Sequence, residues 1–335
     1  MKAIVQERYG PIEGLEVREV DRPTIDGDQV LVRVRATSVH ADVWHMVSGF
    51  PYVLRIMGGG FRRPNHPIPG TDVAGTIEAI GPEVTRFQVG DDVYGEIVTG
   101  NQWRNGGAFA EFAAARQGLL ERKPARLSFE EAAAVPTSGA IALRALRDEG
   151  ALTGGMRMLV NGAGGGVGIF AVQIGKADGA HVTGVDSAEK LDMLRSIGAD
   201  EVLDYHTEDF TAGDERYDLI LDVASTRSFA ECRRVLTPEG RYVLIGHDHF
   251  GATGHRWIGS TGTFLKLLVR MPFTRQLPRP SFKEPAEPLL VSLTRLVEDG
   301  KITPVIDRTF ALDQVQDALR YLIEGKPRGK IIMTT

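Results

Sequence analysis

The chain carries a single cysteine, Cys232, in 335 residues. One thiol excludes an internal disulfide and any zinc site built from several cysteines. No apolar run reaches the roughly 20 residues that a membrane-crossing helix needs. An excess of either charge is also missing. Lys and Arg number 39 against 44 Asp and Glu, a formal net charge of −5. That balance leaves no basic surface for nucleic acid. The opening residues run from Lys2 and Ala3 to Glu7 and Arg8 without an apolar stretch. No secretory leader is therefore expected, and a cytoplasmic protein is the default. The length allows two domains with separate cores.

Glycine, by contrast, is plentiful, and its densest cluster is the most informative stretch. Asn161-Gly162-Ala163-Gly164-Gly165-Gly166-Val167-Gly168 follows a strand-like Met158-Leu159-Val160 and precedes a helix-like run over 169–177. It reads as a dinucleotide fingerprint in its Ala form, Ala163-x-Gly165-x-x-Gly168. Gly165 lets the backbone approach a pyrophosphate, and Gly168 lets the helix pack tightly on the strand. The helix start then points the N–H groups around Gly166 and Val167 at the anion.

The first third of the chain is β-rich in pattern. Val30, Val32 and Val34 alternate with Leu31, Arg33 and Arg35, as in a half-buried strand. Ser128-Phe-Glu-Glu131 is a capping box that opens a helix over 130–135. From Met156 the pattern becomes βαβα, with strands over 157–161, 181–185, 201–203, 219–223 and 241–245. Helices over 188–197 and 229–236 fall between them, giving a doubly wound parallel sheet of α/β class. A helix is expected from Pro288 to about 300, then strands over 302–310 and 330–334 flanking a helix over 313–323. The stretch 261–288 mixes Phe264-Leu265-Lys266-Leu267-Leu268-Val269 with prolines. It reads as an inserted lid or subunit-contact element, a buried helix rather than a membrane contact. Residues 49–69, with Arg55, Arg62 and Arg63 around Gly58-Gly59-Gly60, read as a mobile basic flap.

Several segments in order resemble the medium-chain dehydrogenase/reductase superfamily, in its zinc-independent, quinone oxidoreductase-like branch. They are Met1-Lys-Ala-Ile-Val, the run over 29–42 (QVLVRVRATSVHAD), Pro69-Gly-Thr-Asp-Val-Ala-Gly75 and Phe87-Gln-Val-Gly-Asp-Asp-Val-Tyr-Gly95. Gly106-Gly-Ala-Phe-Ala-Glu111, Glu131–Gly139, the glycine run, 182–205 and Arg328-Gly-Lys-Ile-Ile continue the match. The resemblance implies a GroES-like β-rich catalytic domain of residues 1–122 and 300–335. A Rossmann cofactor-binding domain, 123–299, is inserted in it. A homodimer is implied as well. Val39, Thr71 and Thr137 stand where the zinc-dependent branch carries its ligands, so no metal is expected.

The cofactor contacts follow partly from spacing and partly from the resemblance, and the two compete. Asp186, about 20 residues past the glycine run, is placed to bond an NAD ribose and to repel a 2′-phosphate. Ser187, Lys190 and Tyr205 match a phosphate cradle. NADPH is favoured, with NADH open. Lys330 is either a pyrophosphate contact or an ordinary strand-end lysine. Val223 and Gly246 end strands that line the nicotinamide crevice, and Thr137 lies beside the carboxamide. His40 and Asp42 are the candidate catalytic pair, with Asp72 near them. His40 either donates a hydrogen bond and relays a proton near neutral pH or makes a structural bond. The expected activity is NADPH-dependent hydride transfer to quinones or activated alkenes (enones, enals). A zinc-free alcohol/aldehyde dehydrogenase-reductase and an NADPH-binding redox sensor with little turnover are the alternatives.

Overall fold

A computed structural model describes residues 1–98, 104–246, 257–258, 261–278 and 287–335. The chain divides into two compact units, residues 1–137 with 304–335, and residues 138–303.

The first unit is built on a seven-stranded sheet. Its order is Ile306–Ala311, Lys330–Thr334, Gln29–Val39, Asp72–Ile80, Asp92–Glu96 and Leu120–Arg122, with Phe112–Arg116 pairing Gln29–Val39 as well. Pairing is antiparallel except between Ile306–Ala311 and Lys330–Thr334. The Val32, Val34 alternation with Arg33 and Arg35 outward holds, but Leu31, expected on the outer face, is buried. Beyond Ala36 the alternation stops, and Thr37, Ser38 and Val39 are all buried. The tail strand pairs there, Ile332 opposite Ser38, and the helix Phe129–Ala134 packs against both strands. That helix has the expected capping box, Ser128 with Glu131. Because it belongs to this sheet, the first unit continues to Thr137.

The second unit is a five-stranded parallel sheet. Its order is Glu201–Asp204, His181–Asp186, Arg157–Asn161, Tyr217–Asp222 and Leu236–Leu244. The strand order reverses between Arg157–Asn161 and Tyr217–Asp222, where such sheets open a ligand crevice at their carboxyl ends. The helix Gly168–Ala177 follows the first of these strands directly. Cys232 is buried in the core under the sheet, and burial pushes its thiol pKa up, which makes it inert.

Two loop expectations change. The helix Thr261–Arg270 is not a buried element. Leu267 enters the core, while Leu265, Leu268 and Val269 face solvent. Residues 279–286 of the expected lid lie outside the described residues. In the basic flap, Arg55 is fixed: Nε donates to the Gly49 carbonyl at 2.7 Å, and the guanidinium lies over the rings of Tyr9 and Tyr52 at 4.5 and 4.3 Å. Its charge is held by its own unit, and the exposed cations of the flap are Arg62 and Arg63.

Candidate active site

In the second unit the glycine run forms a tight connection between strand and helix. Gly162 has φ +84°, a left-handed backbone that suits glycine. A side chain at Gly168 would meet the Gly162 and Ala163 carbonyl oxygens at 2.3 and 2.5 Å, so only glycine permits this approach of helix to strand. A side chain at Gly165 would find only the Gly162 oxygen, at 3.6 Å, and otherwise open space. The N–H groups of Gly166 and Val167 find no acceptor among the described residues. An open cradle, free donors and a helix start together fit a pyrophosphate. Ala163 plays a different part from the one expected. Its methyl is fully buried, packed toward Gly184, and shapes the turn from beneath.

The phosphate-discriminating residues also differ from expectation. Asp186 does not turn away from the glycine run. Its Oδ2 accepts the Gly164 N–H at 2.7 Å and its Oδ1 the Ser187 N–H at 2.9 Å. Lys190 is buried, with Nζ 3.3 Å from Asp186 Oδ1. Its stem lies over Gly164, where an added Cβ would meet Lys190 Cδ at 2.6 Å. Asp186 and Lys190 thus brace the glycine run as a neutral pair. Ser187 is half-buried, and Tyr205 is exposed and stacked on His206 at 4.1 Å. Gly246 abuts the Val223 carbonyl, where a Cβ would come within 2.1 Å.

Sequence reasoning missed the network that holds these strand ends. Asp222 is buried and accepts from Asn161 Nδ2 (2.8 Å), the Ser225 N–H (2.7 Å) and the Tyr242 hydroxyl (2.6 Å). Burial raises its pKa, and the three donors oppose that rise.

The first unit gathers a second polar cluster. Asp72 is fully buried. Its Oδ1 accepts the Thr137 hydroxyl (2.6 Å) and N–H (3.1 Å), and its Oδ2 the Ser38 hydroxyl (2.6 Å). Antiparallel register sets Glu96 directly opposite Asp72. Asp42 enters from the first turn of the helix Ala41–Ser48. The cation facing these carboxylates is Lys330, 1% exposed, whose Nζ donates to Ser38 Oγ at 3.2 Å. Lys330 is therefore not a strand-end lysine at the surface. The tail strand carries its ammonium into the acid cluster of its own unit. Burial lowers its pKa, while Asp72, Asp42 and Glu96 oppose that.

Charge states follow from this crowding. Burial, with Asp72 and Asp42 nearby, pushes the Glu96 carboxyl up to about 8. Burial and Asp72 push Asp42 up to about 6. His40, 8% exposed, is pushed down to about 4 by burial. Its Nε2 lies 3.0 Å from Thr71 Oγ1. At neutral pH the ring is neutral, so its 3.8 Å approach to Asp42 Oδ2 is not an ion pair. Of the two readings of His40, the geometry shows the structural bond, to Thr71, with the ring neutral; Glu96 and Asp42 are the groups of this cluster that titrate nearer neutrality. No local motif flagged Glu96, because only strand register brings it to Asp72.

The positions of the zinc branch do not form a metal site. Val39 is apolar and buried, Thr71 is bonded to His40, and the Thr137 hydroxyl is donated to Asp72. This donor set does not fit zinc.

Residues 26–125 match the family described as alcohol dehydrogenase GroES-like domain, and residues 197–333 the one described as zinc-binding dehydrogenase. The chloroplast envelope quinone oxidoreductase homolog of Arabidopsis thaliana is 31% identical over 99% of this chain and 98% of its own. The chain belongs to the medium-chain dehydrogenase/reductase superfamily. Within that superfamily it is quinone oxidoreductase-like, an oxidoreductase built from a GroES-like and a Rossmann-like unit. The mitochondrial NAD(P)H oxidoreductase RTN4IP1 of Mus musculus is 32% identical, covering 99% of this chain and 89% of its own. The solved CurK enoyl reductase superposes with a TM-score of 0.82 at 25% identity, covering 99% of this chain and 98% of that one. The medium-chain oxidoreductase described here shares the fold of that solved enoyl reductase over nearly its whole length.

Proposed function

We propose that this chain is a zinc-free, NADPH-dependent reductase of small electrophiles, quinones and activated alkenes. The observations that carry the reading are an open pyrophosphate cradle at Gly165 and, in the other unit, Val39, Thr71 and Thr137 at positions where zinc would need Cys, His or carboxylate ligands. Bound NADPH supplies a hydride. Relatives named for quinone, NAD(P)H and enoyl substrates support both acceptor classes.

NADPH is preferred because Lys190 and two backbone N–H groups compensate the Asp186 charge. The residue that would repel a 2′-phosphate is then neutral as a pair, and the Ser187 and Tyr205 hydroxyls remain to bind it. The test is NADPH and NADH oxidation measured against quinones, enones, enals, aldehydes and alcohols. Turnover of quinones or enones with NADPH is the expected result. Robust alcohol oxidation without added metal, or tighter binding of NADH, overturns it.

Quinones need little acid help, whereas an enolate from an enone must gain a proton at carbon or oxygen. Glu96, protonated below about pH 8, and Asp42, whose side chain is 15% exposed, are the groups that hold such a proton. Enone turnover is therefore expected to fall as pH rises through about 8. Glu96→Gln is expected to remove that limb and to lower enone turnover roughly 100-fold, with quinone turnover nearly unchanged. Equal losses on both acceptors would count against a proton-holding role.

A further inference from the structure

The helix Thr261–Arg270 has two apolar faces. One is used: Leu267 sits in the core of the second unit, with Met271 packed against it. The other points to water. Leu265, Leu268 and Val269, spaced i, i+3, i+4, are 62%, 51% and 64% exposed, and Phe273 just beyond is 88% exposed. Ile258, 48% exposed, lies beside the first turn near Gly262. A monomer in water has no use for this second face.

Charge identifies what covers it. Residues 249–283 contain no Asp or Glu but carry Arg256, Lys266, Arg270, Arg275, Arg279 and Lys283 in a chain of net charge −5. Among the described residues, Lys266, Arg270 and Arg275 form no ion pair. A second copy meeting this face about a two-fold axis would set Lys266 and Arg270 against like charges. An apolar stripe flanked by cations suits a surface with anionic headgroups above hydrocarbon.

We propose that the helix Thr261–Arg270, continued by Met271–Phe273, docks this reductase on an anionic lipid bilayer. The side chains of Leu265, Leu268, Val269 and Phe273 enter the acyl boundary. Lys266 and Arg270 sit at headgroup level. The chain lies on the membrane and does not cross it.

Flotation of the full chain on vesicles tests this, using phosphatidylcholine alone or with about a third phosphatidylglycerol. Binding is expected only to the anionic vesicles. It should weaken as ionic strength rises from about 0.1 M to about 1 M, where the Debye length shrinks to roughly 3 Å. Each cation contributes about fivefold, so K266Q/R270Q is expected to bind about 25-fold more weakly. L265E/V269E is expected to stay in solution, with melting temperature and soluble NADPH oxidation unchanged. Absence of binding, equal binding to both vesicle types, or variants that float like the parent overturn the proposal. So does a drop in the light-scattering mass of L265E/V269E, which would make this face a contact between copies.

Discussion

Gly165→Val is expected to raise the dissociation constant for NADPH roughly 100-fold, about 2.7 kcal/mol, without disturbing the fold. Gly168→Ala, three residues on, is expected to do the opposite. The difference lies in what a new side chain meets. At Gly165 a Cβ enters open space bounded only by the Gly162 oxygen at 3.6 Å. The fold tolerates it, and the valine stands where the pyrophosphate would lie against the free N–H groups of Gly166 and Val167. At Gly168 the Cβ meets Gly162 O at 2.3 Å, Ala163 O at 2.5 Å and Ala163 C at 2.6 Å. These are backbone atoms of the turn and cannot swing aside. Helix and strand must separate, at a cost of about 3 kcal/mol or more. Isothermal titration with NADPH and urea unfolding of both variants separate the two effects. A G165V protein that binds NADPH normally would remove the glycine run from the cofactor site.

The second large effect is expected at the tail. Lys330→Met should destabilise the protein by about 3–5 kcal/mol, the range for removing one partner of a buried ion pair. Methionine fills most of the lysine stem's volume, so packing is nearly kept. What is lost is the ammonium facing Asp72, Asp42 and Glu96. The loss should grow with pH. Asp42 and Glu96 hold their protons more tightly folded than unfolded. The stability they contribute is complete below the ordinary carboxylate range and is lost as pH rises through about 6 and about 8. Without Lys330 those carboxyls ionise against one another, so the urea midpoint of the variant should fall more steeply above pH 6 than the parent's. A K330M protein as stable as the parent at pH 9 would show that the cluster is neutralised some other way.

The parts of this molecule legible in its sequence are the ones set by local pattern. The strand Arg157–Asn161, the capping box at Ser128 and the helix after Gly168 follow from period and punctuation within a few residues. The family resemblance added the joining of the tail to the first unit, which no local pattern contains. The acid cluster escaped because it depends on register: Asp72 meets Glu96 across two strands, and the tail strand carrying Lys330 pairs alongside Ser38. The charge of Asp186 and its distance from the glycines suggest a ribose contact. Whether a carboxylate faces a ribose or an N–H of its own loop is set by rotamer and by Lys190, and spacing is silent on both. The helix over 261–270 looked buried because its apolar residues are continuous. Only packing shows that Leu267 is inside and Leu265 outside.

The Lys330 contact also dictates an order of events at birth. The sheet of the first unit draws its strands from both ends of the chain, with all of 138–303 made in between. Asp42, Asp72 and Glu96 leave the ribosome long before their counter-ion does. At typical synthesis rates the gap between Glu96 and Lys330 is roughly 10–50 s. During that interval the acidic pocket lacks its cation and the edge beside Ser38 lacks its neighbour strand. The nucleotide-binding unit, a continuous stretch, has all its strands first. The unit begun first is thus the last to close, and its closing step brings in a strand and a charge together.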